Sequence, residues 1–168
     1  MAREISAGGV VLRPISGIWH AALIEPQKDS QPPTKSARKR SAAELALPKG
    51  LVDPGEKPQL TAVREVQEET GIVAEIVTKL TDIKYVYVRN WGDGERVFKI
   101  VSFYLLSYVS GEIDDVTAAM RIEVKRALWV PLDEASRRLM YSNERKVLRL
   151  AQDYLEANGL QRSGESKT

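Results

Sequence analysis

Glu65, Glu68 and Glu69, inside the run Arg64-Glu65-Val66-Gln67-Glu68-Glu69-Thr70-Gly71, are the residues whose type and spacing could do chemistry. On a helix, positions i, i+3 and i+4 share a face, so three carboxylates stand together and repel by roughly 0.2–0.5 kcal/mol per pair. Glu68 and Glu69 also fall in the last turn before Gly71, where the helix dipole is itself negative. A bound divalent cation resolves the conflict. The chain has no Cys and a single His, His20, which leaves hard oxygen ligands suited to Mg²⁺ or Mn²⁺ rather than zinc. The lack of Cys also excludes disulfide frameworks and a Cys nucleophile. His20 has no Ser or Cys motif beside it to serve and is read as structural.

The elements that must position these groups follow from local signals. Pro58 suits a first helical position and Gly71 a helix end, and Leu60, Ala62, Val63 and Val66 form the face expected to pack on a sheet, opposite the carboxylates. Residues 5–13 read as a strand whose Gly8-Gly9 pair marks a bulge or close backbone approach. A turn at 14–17 leads to a strand at 18–25. A short strand is expected at 45–47, a loop at 48–57, strands at 72–79, 83–89, 96–109 and 129–132, and a strong turn at 90–94. Tyr85, Tyr87, Phe103 and Tyr104 read mostly as core. A short helix over 133–140 and one over 142–158, capped by Ser142, close the pattern. This is an α/β (α+β) layered domain with a mixed sheet.

With 168 residues, 43% of them apolar and 29% charged, one globular domain over 1–158 is expected, with a disordered polar tail at 159–168. The net charge is +2, but residues 27–43 carry five bases (Lys28, Lys35, Arg38, Lys39, Arg40) against Asp29. That segment is +4 and the remainder −2, so the chain is not a generally basic protein. The 27–43 segment contains no Val, Ile, Leu or aromatic residue and reads as a basic mobile loop within the domain. The longest nearly apolar run, 101–109, is far below the roughly 20 residues of a membrane span, and the N-terminus has no long apolar segment of a secretory signal. The expectation is a cytoplasmic protein with no membrane partner.

Residues 50–72 carry a complete pattern: Gly50, five residues, Glu56, seven residues, Arg64-Glu65, an aliphatic, any residue, Glu68-Glu69, any residue, Gly71 and an aliphatic. This resembles, position for position, the box of the Nudix hydrolase family. Ser6-Ala7-Gly8-Gly9-Val10-Val11, Leu47-Pro48-Lys49-Gly50 and Trp129-Val130-Pro131-Leu132 look like that family's first strand, box entry and last strand. The resemblance implies an α/β/α sandwich with a mixed sheet and Mg²⁺-dependent hydrolysis of a nucleoside diphosphate linked to a group X, with Mn²⁺ as a possible substitute. It implies that Glu65, Glu68 and Glu69 face metal together with a backbone carbonyl near Lys49–Gly50, and that Arg64 orients the box by pairing with Glu56. The base that takes a proton from water is then in the box or on a later loop, where Glu112, Asp114, Asp115 and Glu123 are candidates. Glu123 is favoured, six residues before Trp129.

Lys49, beside the box, is a candidate phosphate contact. Trp91 at a hairpin tip is a candidate for stacking a nucleobase, worth roughly 1–3 kcal/mol, or else a turn residue or dimer contact. The strand at 99–106 and the box entry resemble the branch acting on dinucleoside polyphosphates and on nucleoside triphosphates, including oxidised ones. The rival substrates are ADP-ribose and sugar nucleotides. A non-catalytic module that binds nucleotide or RNA through the basic loop is a reading of a different class. The expected partner is a small nucleotide. Nucleic acid is not expected, although capped RNA belongs among the candidates, and both monomer and homodimer stay open.

Overall fold

The computed structural model describes residues 2–28, 44–89, 92 and 94–160. Residues 29–43, Trp91 and residues 161–168, on which the basic-loop, base-stacking and tail expectations rest, lie outside the described residues.

The described elements are β1 (Ala2–Ile15), β2 (Ile18–Pro26), β3 (Lys49–Leu51), α1 (Pro58–Thr70), β4 (Val73–Val88), β5 (Arg96–Ser110), a 3-10 turn (Ala119–Ile122), β6 (Val124–Pro131), α2 (Leu132–Arg138) and α3 (Ser142–Asn158). The sheet runs β4-β5-β1-β2-β6, with β3 also on β1. It is mixed: β1 and β5 are parallel, and the other pairs are antiparallel. α1 covers one face through Ala62 and Val66, packed on Ala7, Val11, Ala22, Tyr104 and Leu106. α2 and α3 cover the other, with Ala135, Val147, Leu148 and Ala151 on Val10, Leu12, Leu23, Phe103 and Leu105. The α/β/α sandwich implied by the resemblance is present.

One edge of β1 is shared by two strands. Its second half pairs with β2 from Leu12 to Ile15, and its first half pairs with β3 through Ser6, Ala7 and Gly8. The hand-over falls at the Gly8-Gly9 pair, where Gly9 N–H donates to the Pro48 carbonyl at 3.2 Å. A Cβ on Gly8 would collide with Pro48 O and Lys49. Close backbone approach, expected from the sequence, is what these glycines permit.

Several expectations are corrected. Residues 45–47 form only isolated bridges, Leu45 to Leu139 and Ala46 to Ile24, and the strand lies four residues later, at Lys49–Leu51, where the chain meets β1. The two strands expected at 72–79 and 83–89 are one, β4, and register shifts at Ile76/Thr78 and Lys79/Thr81 let it follow the sheet's twist without breaking. β6 starts at Val124, not 129. Tyr141, rather than Ser142, occupies the N-cap of α3, with no side-chain cap bond. Phe103 and Tyr104 are buried, whereas Tyr85 and Tyr87 are only partly so. His20, read as structural, has its Nδ1 in a hydrogen bond with the Ile18 carbonyl at 2.7 Å.

Candidate active site

α1 begins with Pro58 at its N-terminus and ends on Gly71, which sits in the left-handed region at φ 84° and donates its N–H to Gln67 O. Its inward stripe is Thr61, Ala62, Glu65, Val66, Glu69 and Thr70. The expected arrangement is therefore corrected: Leu60 is exposed, and the three carboxylates do not share an outer face. Glu65 and Glu69, one turn apart, lie buried at 8% and 6% exposure, while the Glu68 side chain points outward. The inward stripe simply spirals past the apolar residues onto the two glutamates, where it meets β3 and the Leu47-Pro48-Lys49 turn.

Two groups hold these carboxylates. Lys49 N–H donates to Glu69 Oε1 at 2.9 Å. Arg64 spreads its guanidinium over the box: Nε and Nη2 donate to the two oxygens of Glu56, each at 2.9 Å, Nη1 to Glu65 at 2.8 Å and to Glu68 at 3.2 Å, and Nη2 also to Leu51 O at 3.1 Å. Glu56 further accepts from Thr61 Oγ1 at 2.6 Å and from Asp53 N–H at 3.1 Å. These bonds, led by those from Arg64, hold the Glu56 carboxyl down at about 2. Gly50 is required beside them, because a Cβ there would occupy the Glu65 carboxylate's place.

Burial, then the Glu68 charge, pushes Glu65 up to about 7. Burial, then Glu65, pushes Glu69 well above the carboxylate range. Glu123, exposed between the 3-10 turn and β6, adds to both shifts, so it lies in the same electrostatic neighbourhood. Its backbone carbonyl accepts from Gln27 N–H at 2.8 Å. Asp114 is committed elsewhere, to Arg121 at 2.7 Å and Ala127 N–H at 2.8 Å.

Lys49 Nζ, the candidate phosphate contact, is paired with Glu144 at 2.6 Å and lies 5.3 Å from the Tyr141 ring centroid. Burial works against this ammonium, yet Glu144 and the nearby phenols keep its proton more tightly held than in free lysine. Glu144 went unnoticed in the sequence although a signal exists: it falls on the apolar stripe of α3 with Val147, Leu148 and Ala151, a position where an unpaired acid is costly.

Among the described residues, no three acidic or His side chains are gathered closely enough to form a metal shell as they stand, and Arg64 bridges Glu65 and Glu68. The donor set still fits a hard divalent cation. It is all oxygen, two of its carboxylates are buried one turn apart on α1 with raised proton affinity, and the Gly50 cradle leaves the Glu65 carboxylate room. A cation there would offset both burial and repulsion.

Fold and site together define a class. Residues 28–151 match the NUDIX domain model, and the chain belongs to the Nudix hydrolase family. It is 36% identical over 155 residues, 91% of this chain and 56% of the relative, to a Mycobacterium tuberculosis (strain CDC 1551 / Oshkosh) protein that bears the name mutator protein MutT4. Thus it spans little more than half of that relative's length. It is 32% identical over 114 residues, 64% of this chain and 69% of the relative, to the bis(5'-nucleosyl)-tetraphosphatase [asymmetrical] of Rattus norvegicus. Among solved structures, a C. elegans Ap4A hydrolase binary complex superposes with a TM-score of 0.65 over 92% of this chain and 98% of that one, at 21% identity. No helix among the described residues is long and apolar enough to cross a membrane.

Proposed function

We propose that this chain hydrolyses a diphosphate linkage in a nucleoside diphosphate-X substrate in a Mg²⁺-dependent reaction, Mn²⁺ being able to substitute. The observation that carries the reading is the buried Glu65–Glu69 pair, one turn apart on α1, with proton affinities raised first by burial and then by neighbouring acids, Glu68 for Glu65 and Glu65 for Glu69. Two buried carboxylates cost free energy unless positive charge meets them, and a bound cation would supply charge beyond what Arg64 gives Glu65. Glu65, Glu68 and Glu69, with a carbonyl near Gly50, would hold Mg²⁺. Bound there, the metal would neutralise phosphate charge and acidify water. Arg64 keeps the box carboxylates in register, and Glu123 takes the proton from the attacking water, since it shares the field of Glu65 and Glu69 and is open to solvent.

Dinucleoside polyphosphates and nucleoside triphosphates, oxidised ones included, are the proposed substrates. The support is the likeness to the rat tetraphosphatase and to the mutator-named protein. The test is incubation with dinucleoside polyphosphates, normal and oxidised triphosphates, ADP-ribose, sugar nucleotides and capped RNA, with products separated by anion exchange. Hydrolysis that needs Mg²⁺ and stops in EDTA is expected. Turnover undiminished by excess chelator would overturn the metal role. Nucleotide binding without turnover of any substrate would favour the non-catalytic module.

A further inference from the structure

Glu144 is a buried acid in the first turn of α3, 95 residues from the segment it bonds. It is 3% exposed and uses both oxygens: Oε1 accepts Leu47 N–H at 2.7 Å, and Oε2 accepts Lys49 Nζ at 2.6 Å. These two donors flank Pro48, which has no N–H of its own and whose carbonyl is held from the opposite side by Gly9 N–H. The Leu47-Pro48-Lys49 turn is thus clamped between α3 and β1. In that position the turn aims Lys49 N–H at Glu69 Oε1.

We propose that Glu144 is a positioning residue for the reaction, acting through the Leu47-Pro48-Lys49 turn to fix the carboxylate of Glu69. A buried ion pair contributes little net stability compared with apolar residues of the same volume. What it does contribute is one geometry, and here that geometry ends on a box carboxylate. The same bond holds Lys49 Nζ on Glu144, so Lys49 serves the site through its backbone N–H while its ammonium is committed to the clamp. α3, which carries none of the box, is thereby part of the active site's framework.

The inference rests on the metal-dependent reading, and its test separates the two. Glu144→Gln retains an acceptor for Leu47 N–H but loses the charge that holds Lys49. Without metal, the Lys49 amide is expected to lose hydrogen-exchange protection, although Glu144 does not bond that amide. With metal, kcat is expected to fall by about 10- to 100-fold and the Mg²⁺ midpoint to rise, as for other residues that orient ligands, with KM little changed. Glu144→Asp, which keeps the charge but not the reach, is expected to show the same pattern more weakly. Glu156→Gln, an exposed change on the same helix, controls for charge. Parent-like Lys49 protection, kcat and Mg²⁺ midpoint in a folded Glu144→Gln protein would overturn the inference. Failure of the parent itself to hydrolyse any substrate would overturn the metal-dependent reading, and the metal-free exchange arm would still decide on the clamp.

Discussion

Arg64 touches three glutamates and a backbone carbonyl at once, which only a planar fork of five donors can do. Its removal leaves Glu65 buried beside Glu68 with no cation, and frees Glu56. Arg64→Ala is therefore expected to lower metal-free stability and hydrolysis together, and Arg64→Lys to rescue neither, as followed by thermal unfolding alongside kcat. Glu69→Gln should behave differently. The amide still accepts Lys49 N–H and keeps the helix, while one charge of a repulsive buried pair disappears, so metal-free stability should hold or rise. Hydrolysis should fall on the order of 10³-fold, since metal-centred charge stabilisation is worth several kcal/mol. Near-parent turnover by Glu69→Gln would remove Glu69 from the metal site. The pairing of Arg64 with Glu56 was anticipated through the resemblance of residues 50–72 to the Nudix box. The bond between Glu144 and Lys49 was not, because no local pattern links groups so far apart in the chain, and reading Lys49 as a phosphate contact missed the acid that holds it.

At the scale of elements, α1 is legible end to end because its start and stop are local: proline at one terminus and a left-handed glycine at the other. Gly71 does more than terminate the helix. A Cβ there would lie 2.5 Å from Glu112 O and 2.8 Å from Asp115 O, at a φ that itself costs roughly 1–2 kcal/mol for an L-residue. Gly71→Ala should therefore cost more than that conformational penalty alone, as measured by urea unfolding. Where strands begin and end was less legible, because pairing partners set those limits. Residues 45–47 are apolar enough for a strand but find single bridges, whereas Lys49–Leu51 looks like loop and is drawn into the sheet by the β1 edge that Gly8 and Gly9 leave open. The same pairing carries a prediction about the basic segment. Ile24 and Ala46 exchange both backbone hydrogen bonds, at 2.9 and 2.8 Å, so the chain is already closed below residues 29–43. Replacing those residues with a short Gly/Ser bridge should leave folding and metal-dependent hydrolysis largely intact. If KM rises steeply and the parent's KM depends strongly on salt, the segment gathers phosphates.

Across the whole molecule, the box links stability to protons and, on the proposed metal-dependent reading, to metal as well. Glu65 in the folded chain takes its proton at about 7, raised by burial and then by Glu68, and Glu69 is raised as well. A carboxyl raised on folding contributes stability that is fully present below its unfolded value, near 4.5, and lost as pH climbs through the folded value. Glu56 has the opposite sign. Held at about 2 chiefly by Arg64, it contributes above 4.5 and loses that contribution as pH falls toward 2. The metal-free protein should therefore melt highest near pH 4.5: Glu56 gives up its contribution as pH falls from there toward 2, and Glu65 loses its own as pH climbs from there through about 7, with Glu69 adding to that fall. On the proposed reading, Mg²⁺ would bind the ionised carboxylates and stabilise the folded chain by mass action. It should raise the melting temperature most on the alkaline side, flattening the fall that sets in above about pH 4.5 while leaving the acid arm in place. Glu56→Gln should weaken the acid arm alone. Glu69→Gln should reduce the alkaline fall and the Mg²⁺ response together, since one group causes both. Melting curves from pH 3 to 9, with EDTA and with Mg²⁺, measure all of this without a substrate. An alkaline fall that Mg²⁺ leaves unchanged would mean that the buried pair titrates but does not hold the metal.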